Sequence, residues 1–305
     1  MTLLRKYNPY RNYNRQGLQP MEKLNNHSSS HSQHKEEEKN QADREHYMGH
    51  GHQQHPTSED AKQPVFVNIN LQFDPATPIA GKPTKLTLTL TEQKSGEPIT
   101  NFEILHDKLL HLVIVNTSDL SSFAHVHPVL SQDKSGKFTL DHMFQEADEY
   151  KAWVDFKPKG QSQVLAAFRF TVVGEPVHKA KAAARDEKQF SKVVEGGGYR
   201  LDLIVPDQVA VGDKVDLTFR VAHSNGTPVR DLEPLMAAGG HCVIITSDAK
   251  EYLHVHPSEE VEPNWRGGPD VIFSTTFPKS GAYRVWGQFQ HNSRVITSDF
   301  NLVAK

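Results

Sequence analysis

The chain contains the same stretch of sequence twice. GEPITNFEILHDKLLHLVIV at residues 96–115 aligns without a gap with GTPVRDLEPLMAAGGHCVII at residues 226–245. The tetrapeptide HVHP and an aromatic pattern of the form YxxWxxF follow in both copies. A chain of 305 residues has room for about two ordinary domains. The repeat therefore predicts two tandem domains of the same architecture, and any site built from repeated residues is expected twice.

Short segments rich in β-branched and aromatic residues run through both copies. VFVNINLQF, KLTLTLT, YRLDLIV and KVDLTFRVA are examples, and clusters of Gly, Pro, Asn, Asp and Ser separate them. Short strands with turn signals between them are typical of an all-β sandwich. We therefore predict one antiparallel β-sandwich at residues 63–176 and a second at residues 197–305, joined by a charged linker at residues 177–196.

The first part of the chain, residues 1–62, has a different composition. It is rich in Asn, Gln, Ser, Glu and Lys and poor in aliphatic residues, so we predict a disordered tail. Histidine-rich tracts of this kind bind metal ions loosely, and a solvated tail without that role is an equal alternative. The tail holds seven histidines: His27, His31, His34, His46, His50, His52 and His55.

Composition excludes several classes of protein. The 34 Lys and Arg residues are balanced by 37 Asp and Glu residues, so the basic surface of a nucleic-acid-binding protein is not expected. No apolar run approaches the ~18 residues of a transmembrane helix. A single cysteine, Cys242, excludes an intrachain disulfide framework, an iron–sulfur cluster and a cysteine-based zinc finger. Because the chain has 18 histidines, any metal chemistry would use imidazole ligands.

The repeated histidines fall on one face of a predicted hairpin. HLVIV and FAHVH are expected to be its two arms, joined by the polar turn NTSDLSS. Alternate residues of a strand share a face, so His111 then lies opposite His127, with His125 diagonal to it. The second copy places His241 opposite His256 in the same way. Opposed Cβ atoms are ~4.5–5.5 Å apart, a separation that two imidazoles binding one ion can span.

These hairpins predict one three-histidine metal site in each copy. Such a site suits Cu(II), Zn(II) or Ni(II), with a fourth position open to water, His106 or Met236. The alternative is that HVHP forms a polar clamp at a strand end closed by proline. We expect Cys242 to face away from His241, and the YxxWxxF aromatics to pack in the core. The candidate metal ligands are His111, His125, His127, His241, His254 and His256.

The two copies resemble the YtkA-like domain. The resemblance is carried by HDKLLHLVIVNTSDLSSFAHVHP in the first copy and by EPLMAAGGHCVIITSDAKEYLHVHP in the second, and it covers about residues 65–175 and 197–305. It implies immunoglobulin-like β-sandwiches, usually extracytoplasmic, often found with copper or other heavy-metal handling proteins. The matching positions are the six histidines named above. The chain opens without a visible signal peptide, so its localisation is left open.

The combined expectation is non-catalytic binding of a divalent transition metal ion, copper as Cu(II) first and zinc second, for buffering, delivery or tolerance. A metal-handling membrane protein is a possible partner. One alternative is a structural or protein-interaction module without metal. A second is a cupin-like metal enzyme, since Glu260 and Gly267 follow His254 and His256 at suitable spacing. The first copy has Ser131 where the glutamate would be, and a blue-copper centre would need a cysteine that this copy lacks.

Overall fold

The computed structural model describes residues 67–175, 190–194, 197–255, 257, 259 and 261–305. The predicted disordered tail at residues 1–62 lies outside them. The described residues form seventeen β-strands. No helix among them is long and apolar enough to cross a membrane.

The first sandwich contains nine strands in two sheets. One sheet has the order β1-β2-β7-β6, and the other has the order β9-β8-β4-β5, with β3 paired to the end of β8. Neighbouring strands are antiparallel throughout. The strands are β1 (Val67–Asp74), β2 (Pro83–Glu92), β3 (Phe102–Glu103), β4 (Leu110–Asn116), β5 (Phe123–Val126), β6 (Val129–Leu130), β7 (Lys137–Met143), β8 (Asp148–Pro158) and β9 (Val164–Val172).

Among the described residues, the second sandwich repeats seven of these strands and adds the edge strand β10. Its sheets have the orders β10-β11-β12-β15 and β14-β13-β16-β17. The short edge strand β10 comes from within residues 177–196, the stretch predicted as a linker. The strands are β10 (Ser191–Val193), β11 (Tyr199–Ile204), β12 (Lys214–His223), β13 (His241–Thr246), β14 (Tyr252–Val255), β15 (Asp270–Thr276), β16 (Gly281–His291) and β17 (Arg294–Ala304).

The strand order is that of an immunoglobulin-like sandwich. The sheet β1-β2-β7-β6 corresponds to the A-B-E-D sheet of that fold, and β9-β8-β4-β5 corresponds to a G-F-C sheet with one added strand. In β2, buried Leu86, Leu88 and Leu90 alternate with more exposed residues, the pattern of a sheet with one face on the core. The prediction of an all-β fold with two tandem immunoglobulin-like sandwiches is confirmed.

Strand β4 is buried on both of its faces. Leu110, Leu112 and Ile114 belong to the core of the first sandwich. The alternate residues Val113 and Val115 belong to a separate apolar cluster that both sandwiches share, which we call the seam. The seam consists of Val113, Val115, Leu120, Trp153 and Leu165 from the first sandwich and Val243, Ile245, Ala249, Tyr252 and Trp286 from the second.

Two stacked aromatic pairs cross the seam. The rings of Trp153 and Tyr252 have centroids 5.3 Å apart and planes inclined by 18°. The rings of Phe123 and Trp286 have centroids 4.7 Å apart and planes inclined by 12°. Each pair joins the tryptophan of one YxxWxxF pattern to the aromatic residue that lies two positions before HVHP in the other copy. The two sandwiches therefore exchange equivalent contacts, as two related subunits do in a symmetric dimer.

This packing also decides where the repeated histidines lie. His111 on β4 and His241 on β13 lie an even number of positions from the seam residues of their strands, and therefore on the same face. Both histidines thus face the other sandwich. The seam brings these two equivalent positions to the same end of the interface, where their rings lie 6.5 Å apart.

Candidate metal centre

Two strained turns lie beside the repeated histidines. In the first copy, Leu105 and Lys108 exchange backbone hydrogen bonds around His106 and Asp107, whose φ angles are 47° and 64°. The equivalent turn of the second copy places Met236 and Ala237 at φ angles of 52° and 58°. A non-glycine residue in this left-handed region costs about 1–2 kcal/mol. Two successive residues with positive φ angles form the tight turn of a two-residue β-hairpin, and both copies keep this geometry.

The turns present carbonyl oxygens to the histidine that follows. His111 Nε2 lies 2.9 Å from the carbonyl oxygen of Leu105, and His241 Nε2 lies 3.1 Å from the carbonyl oxygen of Leu235. A carbonyl oxygen only accepts hydrogen bonds, so each histidine donates through Nε2–H and carries its lone pair on Nδ1. A backbone carbonyl commonly fixes the ring of a metal-binding histidine in this way.

His125 is oriented by a residue of the other sandwich. Its Nδ1 donates to Gln288 Oε1 over 2.9 Å, and Gln288 Nε2 in turn donates to Thr297 Oγ1 over 3.2 Å. Gln288 is on β16 and is 3% exposed, so this bond crosses the interface in a buried setting. With its proton on Nδ1, a neutral His125 carries its lone pair on Nε2.

The inward nitrogens of three histidines converge in this cluster. His111 Nδ1 lies 3.2 Å from His125 Nε2 and 3.2 Å from His127 Nε2. The bonds to Leu105 and Gln288 leave His111 Nδ1 and His125 Nε2 as acceptors in neutral rings. A cation among the three nitrogens would accept their lone pairs.

The spacing of the three nitrogens suits a transition metal ion. Ligand atoms of His111, His125 and His127 all lie within 4.8 Å of one another. Two nitrogens bound to one tetrahedral ion at ~2.0–2.1 Å are ~3.3 Å apart. The two 3.2 Å contacts of His111 Nδ1 are therefore close to the spacing that a shared ion would impose.

Burial keeps the rings of His125, His127 and His241 neutral. His125 is 5% exposed, and desolvation lowers its pKa to about 4. Desolvation also lowers the pKa of His127 and of the fully buried His241, and neighbouring histidines lower both further. The neutral imidazole is the form that binds a metal ion, so no proton needs to leave before binding near neutral pH.

Further histidine rings extend this site across the seam. The His241 ring centroid is 5.6 Å from that of His125 and 6.5 Å from that of His111. His106, on the strained turn, lies 6.1 Å from His111 and 6.2 Å from His241. We call the five rings together the histidine cluster: His106, His111, His125, His127 and His241.

The predicted ligands of the two copies have different outcomes. The structure brings the first trio together. Leu112 pairs with Val126 between β4 and β5, and the same register places His111 opposite His127, as predicted. In the second copy His241 is described, and His254 pairs through its backbone with Val243. The side chain of His254 and all of His256 lie outside the described residues, so the second site remains a prediction.

Three residues outside the histidine cluster also concern the site. Cys242 faces the core of the second sandwich, as expected, and burial raises the pKa of its thiol. Glu260, which the cupin-like alternative requires, lies outside the described residues. Sequence reasoning missed Gln288, whose position matches Asp155 in the first copy, because no pattern in the chain pairs a glutamine with a histidine 163 residues away.

Two solved structures are distantly similar to the chain. The chain is similar to the transglutaminase of red sea bream, with 10% identity and a TM-score of 0.25, over 81% of this chain and 32% of that one. It is similar to the adhesin FdeC of Escherichia coli, with 15% identity and a TM-score of 0.24, over 82% of this chain and 66% of that one. The chain thus spans about a third of the transglutaminase and just under two thirds of the adhesin. TM-scores this low carry no argument about function.

The family comparison is more specific. No curated protein matches the chain. The model of one protein family matches it twice, at residues 64–174 and 192–305, which are the two sandwiches. This is not the YtkA-like model, so the resemblance to that domain remains a hypothesis. The chain belongs to the family described as Domain of unknown function (DUF8832) and carries that domain twice.

Proposed function

We propose that this protein binds a divalent transition metal ion through His111, His125 and His127. The single observation that carries the proposal is the convergence of three imidazole nitrogens. His111 Nδ1 lies 3.2 Å from both His125 Nε2 and His127 Nε2, close to the ~3.3 Å between two nitrogens bound to one tetrahedral ion.

The donor set favours copper as Cu(II), with zinc as the second choice. Imidazole nitrogen suits both ions, and affinities for such sites rise to Cu(II) and fall again at Zn(II). A soft thiolate ligand would favour Cu(I), but Cys242 is buried in the core of the second sandwich. The resemblance to a domain often found with copper-handling proteins supports the same order.

The proposed role is buffering, delivery or tolerance of the ion, without catalysis. His127 is only partly buried, so one side of the trio is within reach of solvent or of a partner protein. A ligand at the accessible edge of a site gives an incoming protein a place to begin replacing the existing ligands. A metal-handling membrane protein fits this role as a partner, and the seven tail histidines would supply a second, weaker store of metal.

Isothermal titration of the full-length chain with Cu(II) and Zn(II) tests the proposal. The seven tail histidines are first replaced by serine, so that binding to the tail does not obscure the sandwiches. We expect tight binding that the double substitution His125→Ala, His127→Ala abolishes. His142→Ala is the matched control, because His142 is a histidine of the same sandwich whose ring packs on Phe144, 4.7 Å away, outside the histidine cluster.

Two results would contradict the proposal. One is equal binding by the double variant and by His142→Ala. The other is absence of binding by the unsubstituted sandwiches, together with a melting temperature that neither added metal nor a chelator changes. That second result would favour the alternative of a structural or protein-interaction module.

A further inference from the structure

We infer that the metal ion is held jointly by the two sandwiches, with His241 of the second copy as a fourth ligand to the His111, His125 and His127 trio. The inference rests on the proposed function and goes beyond the prediction of one site per domain. It assigns one ion to the interface rather than one ion to each copy, and so makes the ion part of the contact between the sandwiches.

The distances between the rings bring a fourth imidazole close to the spacing of one shared ion. A ring centroid lies ~3.2 Å from an ion bound through one of its nitrogens, so two rings on one ion have centroids ~5.2 Å apart at the tetrahedral angle and ~6.4 Å apart at most. His241 lies 5.6 Å from His125, within this range, and 6.5 Å from His111, just beyond it, so the rings of His111 and His241 must approach each other slightly when the ion binds. His125 lies 5.4 Å from His111 and 4.9 Å from His127.

The tautomer of His241 suits the same role. Its Nε2 donates to the carbonyl oxygen of Leu235, as Nε2 of His111 does to Leu105, so Nδ1 carries the lone pair in both residues. His241 has no exposed surface and sits on the face of β13 that meets the first sandwich. A buried imidazole with a fixed tautomer is a preorganised ligand, because little rotational freedom is lost when the ion binds.

His106 is the competing candidate for the fourth position. Its ring lies 6.1 Å from His111 and 6.2 Å from His241, so distance alone does not exclude it. His106 is on a turn and only partly buried, and its position in the second copy is taken by Met236. His241 is instead the exact counterpart of His111 in the repeat, it is fully buried, and it is held by a counterpart carbonyl. These three properties favour His241.

Joint coordination has a consequence for the whole fold. The apolar seam and the bond between His125 and Gln288 already join the two sandwiches. An ion bound from both sides adds its binding free energy to that contact, since separating the sandwiches would require at least one metal–nitrogen bond to break. The protein would then couple metal loading to the association of its two domains.

The inference is tested by substituting His241 in the full-length chain. The parent for these variants is the chain whose seven tail histidines have been replaced by serine. The probe is Cu(II), and the readouts are its affinity, its stoichiometry and the number of coordinated nitrogens from electron paramagnetic resonance. We expect one ion per chain and four coordinated nitrogens. His241→Ala should leave three and weaken affinity at least about tenfold, since loss of even an outer-shell partner costs about 10–100-fold.

Two further variants keep the test decisive. His241→Gln preserves a donor for the Leu235 carbonyl and should lose the fourth nitrogen without unfolding the chain. His223→Ala, at a histidine that stacks on Tyr199 outside the histidine cluster, should change nothing.

The outcomes separate the two proposals. Undiminished binding with four nitrogens in both His241 variants overturns the inference and leaves the proposed function standing. Two ions per chain, or a loss seen only in His106→Ala, overturns it as well. Absence of Cu(II) binding in the parent chain overturns both proposals.

Discussion

His125 and Gln288 are 163 positions apart in the chain, yet they form a buried hydrogen bond of 2.9 Å across the interface of the two sandwiches. The bond fixes which nitrogen of His125 faces His111 and His127. A residue of one domain therefore prepares a ligand of the other, and the candidate metal centre depends on the interface as well as on the hairpin that contains its histidines.

Gln288→Leu is expected to weaken metal binding without removing a ligand. The change leaves the Nδ1–H of His125 without its acceptor and frees the ring to turn, and losses of this kind cost about 10–100-fold in metal affinity. Calorimetric titration with Zn(II) measures the effect. Gln290→Leu is the matched control, because Gln290 lies on the same strand and donates to Glu233 instead. Equal affinities in the two variants would contradict the positioning role.

Trp153→Ala is expected to weaken the seam. Trp153 is 1% exposed and stacks on Tyr252 of the other sandwich, and removal of a buried aromatic side chain costs about 3–5 kcal/mol. Because the residue lies between two folded cores, we expect urea unfolding to separate into two transitions, one for each sandwich. Val129→Ala, at a residue that is 62% exposed, should change stability by less than about 0.5 kcal/mol. A single transition with wild-type stability in Trp153→Ala would show that the seam does not hold the sandwiches together.

The metal-free protein is expected to lose stability as the pH falls below about 6.5. Burial lowers the pKa of His125 to about 4 and also lowers that of His127 and His241. Between these values and the unfolded value near 6.5, the unfolded chain binds more protons than the folded one, so acid favours unfolding. Each such histidine contributes up to ~1.4 kcal/mol per pH unit.

Urea titrations between pH 8 and pH 4 would measure how steeply the free energy of unfolding changes with pH. His125→Gln should reduce this slope by the equivalent of about one bound proton. A free energy of unfolding that stays constant or increases as the pH falls from 8 to 4 would contradict the prediction. Because burial lowers the pKa of His125 to about 4, proton competition at the folded site should release bound metal only near or below that pH.

Asp155→Asn is expected to stabilise the metal-free protein above pH 6. Asp155 is 4% exposed, and burial raises the pKa of its carboxyl to about 6, while Gln163 donates to it over 2.7 Å. A carboxyl with a raised folded pKa favours the fold below pH ~4, and that contribution is lost as the pH rises through 6. Asparagine stays neutral, so we expect a gain of about 2–3 kcal/mol at pH 7.5 and little at pH 3.5. The exposed Asp141→Asn is the control, and an equal gain at both pH values would contradict the assignment.

Much of the architecture was accessible from the sequence because it depends on local patterns. Alternating apolar residues predict the strands, and the repeat predicts two copies of one sandwich. The opposition of His111 and His127 follows from the length of one turn. These features need no information about how the two copies pack.

The rest depends on contacts between residues far apart in the chain. Trp153 was expected in a domain core, but it lies in the seam, because its strand position faces outward from its own sandwich and the second copy covers it. The approach of His241 to His125 has the same cause. A single sequence indicates that a strand such as β4 is apolar on both faces, but it does not identify the surface that covers the second face.

Anomalous diffraction from crystals of the full-length chain grown with Zn(II) would show whether the three histidines bind one ion. The proposed function predicts an anomalous peak about 2.0–2.1 Å from His111 Nδ1, His125 Nε2 and His127 Nε2. A well-ordered histidine cluster without such a peak, or a peak confined to histidines elsewhere in the chain, would contradict it.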